Sequence, residues 1–208
     1  MSDMLERLGK LDDRLFRTAA RSDPPLLRFL PRLSRAADFA RIWILIATAL
    51  TALGGRSGRR AALRGLGSLT ATSILVNLIL KPLFRRTRPS LSQVPALRQL
   101  KRQPRSASLP SGHAASAAAF TTGVSIELPA LAPLIVTLAA AVAYSRIYTG
   151  VHYPSDVAAG AAVGTCVGLL SRAAWPRIRE APPLIGARPE ASIAASRASN
   201  EALREQIE

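Results

Sequence analysis

Five apolar segments, at residues 37–53, 61–84, 114–126, 128–144 and 157–170, alternate with linkers that concentrate arginine, and this alternation limits the chain to few folds. Several segments fall short of the ~20 residues that span a bilayer comfortably. Two features nevertheless favour membrane helices over buried soluble ones. The segments hold few charges, and the linkers gather them, as in Gly54-Gly55-Arg56-Ser57-Gly58-Arg59-Arg60. Hydrophobic residues make up 49% of the chain but aromatic ones only 5%, so packing relies on Ala, Leu, Val and Ile, which suits close helix contacts. Gly160, Gly164 and Gly168 form a small-residue stripe that fits packing within the chain or a dimer equally well, and the oligomeric state stays open. The expected architecture is all-α: an integral-membrane helical bundle with about five transmembrane helices.

Residues 1–35 form an amphipathic N-terminal region. Leu5, Leu8, Leu11, Leu15 and Phe16 recur at helical spacing until Pro24-Pro25 breaks the pattern. This region reads equally as an interfacial helix or as a solubilising tail. It lacks the early apolar core of a cleavable signal peptide. Residues 36–176 form the membrane domain, and 177–208 read as a polar tail with no functional signal. The net charge of +15 fits an anionic membrane surface or a phosphorylated substrate. Nucleic acid is disfavoured, because the arginines sit between apolar stretches and not along one polar helix face. Charge does not orient the chain: the 85–110 linker carries seven basic and no acidic residues, yet the other linkers are basic too. The single cysteine, Cys166, allows no internal disulfide and no cysteine metal site, and reads as a small buried hydrophobe.

The chemistry-bearing residues cluster at the segment edges. The chain has two histidines. His152 lies four residues before Asp156, across a Pro154-Ser155 helix start for which Ser155 is a candidate N-cap. The turn can bring the carboxylate to one imidazole nitrogen, fixing the tautomer and freeing the other to attack; the alternative is a surface His–Asp pair. Ser145-Arg146 closes the fourth segment, where an arginine needs an anionic partner, either a phosphate or a structural carboxylate. Pro110-Ser111-Gly112-His113 precedes the third: Gly112 allows close backbone approach, Ser111 adds a donor, and His113 can protonate a leaving oxygen. Lys81 ends the second segment, where snorkelling is its ordinary role, and Arg88 offers a bidentate fork. If the segments alternate in direction, Lys81, His113, Arg146 and His152/Asp156 all fall on one side of the membrane. Beyond Asp156, neither histidine has a metal-ligand cluster near it, so no metal and no cofactor is expected.

In these strings the chain resembles the type 2 phosphatidic acid phosphatase (PAP2) superfamily, which includes vanadium haloperoxidases. The motifs KxxxxxxRP, PSGH and SRxxxxxHxxxD stand here as Lys81 to Arg88-Pro89, Pro110 to His113, and Ser145-Arg146 through His152 to Asp156. The chain also looks like the phosphatase half of actinobacterial proteins that carry a diacylglycerol kinase-like domain. The resemblance implies a helical bundle, a multi-pass cell-membrane location with an extracytoplasmic site, and a metal-independent lipid phosphate phosphatase. By it His152 is the nucleophile that forms a phosphohistidine, Asp156 orients it and His113 is the general acid. Lys81, Arg88, Ser111, Gly112 and Arg146 hold the phosphate. The implied substrate is a membrane lipid phosphate: phosphatidic acid, phosphatidylglycerol phosphate, or a polyprenyl phosphate or diphosphate. The competing functions are a non-catalytic lipid-binding protein of the same fold and a vanadate-dependent haloperoxidase.

Overall fold

The computed structural model describes residues 2–22 and 24–174, and all its regular elements are helical. The polar tail expected at 177–208 lies outside the described residues. The helices are α1 (Ser2–Arg21), α2 (Leu30–Ala36), α3 (Arg41–Leu53), α4 (Gly55–Ile74), α5 (Lys81–Phe84), α6 (Gly112–Glu127), α7 (Ala132–Tyr148) and α8 (Pro154–Ala174). A π-helical stretch, Leu75–Leu80, joins α4 to α5, so that Gly55–Phe84 is one helical run of 30 residues. α6 is the hub, packing against α4, α7 and α8.

Among the described residues, two helical runs are long and apolar enough to cross a membrane, Gly55–Phe84 and Pro129–Tyr148. A third appears if Pro25–Ala36 and Asp38–Leu53, bent at 76°, count as one broken span. The third expected segment is α6, whose 16 residues extend only about 24 Å at the α-helical rise. Small residues let these helices sit close. Trp43 and Phe120 stack at 5.2 Å within a core otherwise rich in alanine, including Ala47, Ala61, Ala62 and Ala117.

The glycine stripe packs within the chain. A Cβ on Gly160 or Gly164 would collide with the carbonyl oxygens of Ser111, just before α6, and Ala115 within it, and one on Gly168 would strike Thr122. α8 is thereby pressed against the start of α6, where the PSGH motif lies. Cys166 sits on the exposed face of α8 and is not buried as expected, because the stripe turns the opposite face inward.

The N-terminal region is no detached tail. In α1, Phe16 and Ala20 are buried with Val94, and Phe16 meets Tyr153 edge-on at 5.6 Å. Leu11 and Leu15 remain about half exposed on the same helix.

Candidate active site

Chain direction brings the chemistry to one end of the bundle. Lys81 follows the π-helical stretch, His113 is the second residue of α6, Arg146 lies in the last turn of α7, and His152 and Asp156 flank the start of α8. Between α7 and α8 the chain reverses at Gly150, whose φ of +77° favours glycine. The amides of Val151 and His152 then both donate to the Arg146 carbonyl, at 3.1 and 3.2 Å, tying the two motif ends together.

His152 is buried and its two ring nitrogens face different groups. Nδ1 lies 3.6 Å from Asp156 Oδ2 and 3.4 Å from Ser108 Oγ. Nε2 lies 3.3 Å from Arg88 Nη1. Asp156 is fully buried and its carboxylate is saturated. Ser108 donates to Oδ2 in a very short bond, the Tyr153 amide donates to Oδ2 at 2.9 Å, and Arg86 donates to Oδ1 at 2.8 Å. The Tyr153 bond corrects one expectation. α8 starts at Pro154, so the residue before it is Tyr153, and the Asp156 side chain reaches back to the Tyr153 amide as the reciprocal half of a capping box does. Ser155 is not the N-cap. Its amide and hydroxyl instead donate to the two oxygens of Asp12 on α1, at 2.9 and 2.5 Å.

Burial, with the Arg88 and Arg146 cations adding to it, pushes His152 down to about 4 against the opposing pull of Asp156. The ring is therefore neutral at physiological pH, the form in which an imidazole nitrogen has a lone pair to donate. Arg86 runs the other way: burial lowers it, but the carboxylates of Asp12 and Asp156 outweigh burial and raise it.

The cationic residues have fixed positions. Arg88 Nη1 donates to the Val151 carbonyl at 2.6 Å and its Nε to that of Ser106 at 3.0 Å. Lys81 Nζ donates to Asn77 Oδ1 at 3.0 Å and lies 3.3 Å from Ser106 Oγ. A Cβ on Gly112 would meet that ammonium at 3.5 Å, an ordinary contact, which places Lys81 directly beside the start of α6. Arg146 donates from Nη1 to Ser34 Oγ at 2.5 Å. Among the buried donors without a hydrogen-bond partner in the described residues, two belong to the motif strings, Ser111 Oγ and Arg146 Nε. Such groups are costly unless something pairs with them.

His113 has a carboxylate partner of its own. Its Nε2 is 2.9 Å from Asp38 Oδ1, and the ring lines a cleft of about 460 Å³ with Trp43, Leu69, Ser73, Asn77 and Lys81. A second, basic cavity of about 750 Å³ shares Asn77 and Lys81 with it and opens among Arg85, Arg86, Arg88 and Arg105. Sequence reasoning missed four of these residues: Asp12, Asp38, Arg86 and Ser108. Arg86 and Ser108 sit inside or beside motif strings, and that proximity was the available signal. Asp12 and Asp38 carry none.

The profile of the PAP2 superfamily matches residues 62–180. The decaprenylphosphoryl-5-phosphoribose phosphatase of Mycobacterium tuberculosis is 37% identical over 149 residues, covering 71% of this chain and 79% of that protein. A lipid A 1-phosphatase of Rhizobium johnstonii is 34% identical over 70 residues, covering 34% of this chain and 29% of that one. Among solved structures, Aquifex aeolicus LpxE superposes with a TM-score of 0.63 at 26% identity, over 77% of this chain and 94% of its own. The phosphatidylglycerolphosphate phosphatase of Bacillus subtilis has the same fold, with a TM-score of 0.62 at 22% identity over 84% and 89% of the two chains.

Proposed function

The chain belongs to the PAP2 superfamily of phosphatases, and we propose that it hydrolyses the terminal phosphate of a membrane lipid through a phosphohistidine at His152. The observation that carries this is the asymmetry of His152: one ring nitrogen held by Ser108 and Asp156, the other beside Arg88. A nucleophile needs that division, with a carboxylate fixing the tautomer on one side and an electrophile-binding cation on the other.

In the first step His152 Nε2 attacks phosphorus and a P–N bond forms as the P–O bond to the lipid breaks. The electron pair leaves with that oxygen, and a proton from His113 neutralises it. Asp156 balances the positive charge left on the His152 ring. In the second step His113 takes a proton from water, the hydroxide oxygen bonds to phosphorus, and the P–N electrons return to His152. The products are the dephosphorylated lipid and inorganic phosphate. Lys81, Arg88, Arg146, Ser111 and the Gly112 amide hold the non-bridging oxygens, and a phosphate there gives Ser111 Oγ and Arg146 Nε the partner they lack. These cations stabilise the charge of the transition state.

The substrate reading is supported by the M. tuberculosis relative, whose name specifies a polyprenyl-phosphoryl sugar phosphate. A lipid of that kind, with a terminal phosphomonoester, is our first choice, ahead of phosphatidic acid and phosphatidylglycerol phosphate. The protein is read as a multi-pass membrane protein in which α3, α4–α5, α6, α7 and α8 form five spans, with the site opening to the extracytoplasmic side. The short α6 is then enclosed by its longer neighbours.

The test is phosphate release by detergent-purified protein from decaprenylphosphoryl-5-phosphoribose, phosphatidic acid and phosphatidylglycerol phosphate, with EDTA present. Turnover is expected to survive EDTA and to drop at least about a thousandfold in His152→Ala, the loss typical of removing a nucleophile. Activity that persists in that variant removes His152 as nucleophile, and folded protein that hydrolyses none of the three lipids removes the substrate reading.

A further inference from the structure

Asp38 belongs to none of the three motifs and comes from the far side of the chain, yet its carboxylate meets His113 at 2.9 Å. It stands at the 76° bend between Pro25–Ala36 and Asp38–Leu53. The two residues after it, Phe39 (φ 54°, ψ 30°) and Ala40 (φ 60°, ψ 16°), are both left-handed without being glycine. A residue with a Cβ is strained in this region and persists there only where the surroundings enforce it. Here the buried Ala37 and Trp43 anchor the chain on either side. This strained turn places Phe39 and Ala40 on the rim of the cleft that holds His113, and turns the Asp38 carboxylate onto that histidine.

The other charged groups that face His113 are Arg146 from α7 and Lys81 from the end of the α4–α5 run, both cationic. Asp38 is the one carboxylate among them. An imidazole that must carry a proton toward a leaving oxygen is opposed by two cations and supported by this single anion. The hydrogen bond also orients the ring: with Nε2–H donated to Asp38, Nδ1 is the nitrogen left for the substrate.

We propose that Asp38 is the positioning residue of the general acid, accepting the His113 Nε2–H so that Nδ1–H is delivered to the leaving alkoxide. The inference rests on the reading of His113 as proton donor. When the P–O bond breaks, the Nδ1 proton passes to the departing oxygen. His113 becomes neutral and keeps its Nε2–H on Asp38. When water attacks the phosphohistidine, Nδ1 takes back a proton and the same carboxylate stabilises the ring.

The experiment compares an ester that needs the acid with one that does not, for wild type, Asp38→Asn, Asp38→Glu and His113→Ala. Phosphatidic acid expels a poor alkoxide leaving group, whereas 4-nitrophenyl phosphate expels a stable phenolate. The readout is the single-turnover rate of leaving-group release, which precedes the water step that both esters share. For Asp38→Asn we expect this rate to fall about 10- to 100-fold on phosphatidic acid, part of the usual contribution of a general acid, and by less than about 3-fold on the aryl ester. The basic limb of its pH profile on the lipid moves to lower pH. Asp38→Glu restores most of the lipid rate, and His113→Ala shows the same split more strongly. Wild-type release rates on both esters in Asp38→Asn, or a parallel loss on both, overturn the proposal. A parallel loss of release on both esters in His113→Ala instead overturns the general-acid reading of His113 itself, and retained 4-nitrophenolate release shows that each variant is folded.

Discussion

His152 is held neutral by its surroundings, and this has a consequence for stability that is separate from catalysis. Its ordinary value is 6.5, and in the folded protein burial first, then Arg88 and Arg146, bring it down to about 4. Between those values the unfolded chain binds a proton that the folded chain refuses. The His152 contribution is therefore complete above about pH 6.5 and is lost as the pH falls through that window toward 4. In His152→Gln the side chain does not titrate, so its melting temperature in detergent should fall less steeply than wild type between neutral pH and about pH 4. Parallel melting curves would show that the imidazole is not held neutral. Asp156 has the opposite character, being a buried anion satisfied by Ser108, Tyr153 and Arg86 at once. Its charge is matched before any substrate arrives, which is the condition for holding a histidine in one tautomer without itself taking the proton.

The three motif strings supply the groups proposed to react, and α1 ties their supports together. Asp12 accepts from the Ser155 amide and hydroxyl at the start of α8 and from Arg86 at 2.7 Å, while Arg86 also holds Asp156 and stacks over Tyr153 at 4.4 Å. The far end of α1 is secured by Arg98, whose guanidinium donates to the carbonyls of Ala19, Ala20 and Ser22 and to that of Tyr148 at the end of α7. Asp12→Ala removes a helix-start acceptor and one of the two carboxylates on Arg86. We expect a loss of about 1–3 kcal/mol in the melting of the detergent-solubilised protein. Ser155→Ala should cost less, and the double variant should fall short of the sum; strict additivity would mean that the contact contributes nothing. The helix itself was legible: leucine spacing and Pro24-Pro25 predict a helix that stops before 24, and α1 ends at Arg21. Its role was not, because Asp12 and Ser155 are 143 residues apart and no local pattern distinguishes a buried aspartate from a solvated one. Asp38 was hidden in the same way, standing as one charge at the start of an apolar segment. The motif residues stood out because three strings in order match those of a known superfamily; taken alone, a helix start such as Ser111-Gly112-His113 is common and says little.

At the scale of the whole molecule, both ends of the bundle are cationic for different reasons. At one end Lys81, Arg88 and Arg146 surround His113 and His152. At the other Arg64 is buried, donates to Glu127 at 2.8 Å and to the Ser171 carbonyl at 3.0 Å, and Arg60 lies 3.4 Å from the same carboxylate. Counting linker arginines thus fails to orient the chain, since Arg88 and Arg146 cluster around the histidines at one end while Arg60 and Arg64 are tied to Glu127 at the other. Between the two ends the surface carries exposed Leu45, Ile74, Leu78, Leu134 and Leu170, a band that suits acyl chains better than water. Cys166, exposed and midway along α8, reports on that band. In liposomes it should resist a membrane-impermeant maleimide and react once the protein is unfolded in SDS. Labelling at equal rates in both would mean that α8 faces water and does not span. With Cys166 replaced by Ala, a Lys101→Cys variant places a thiol on the exposed 85–110 linker at the site end. If the site opens outward, the same maleimide added to intact cells should label it; labelling only after lysis would put the site on the cytoplasmic face, and with it the side of the membrane on which phosphate is released.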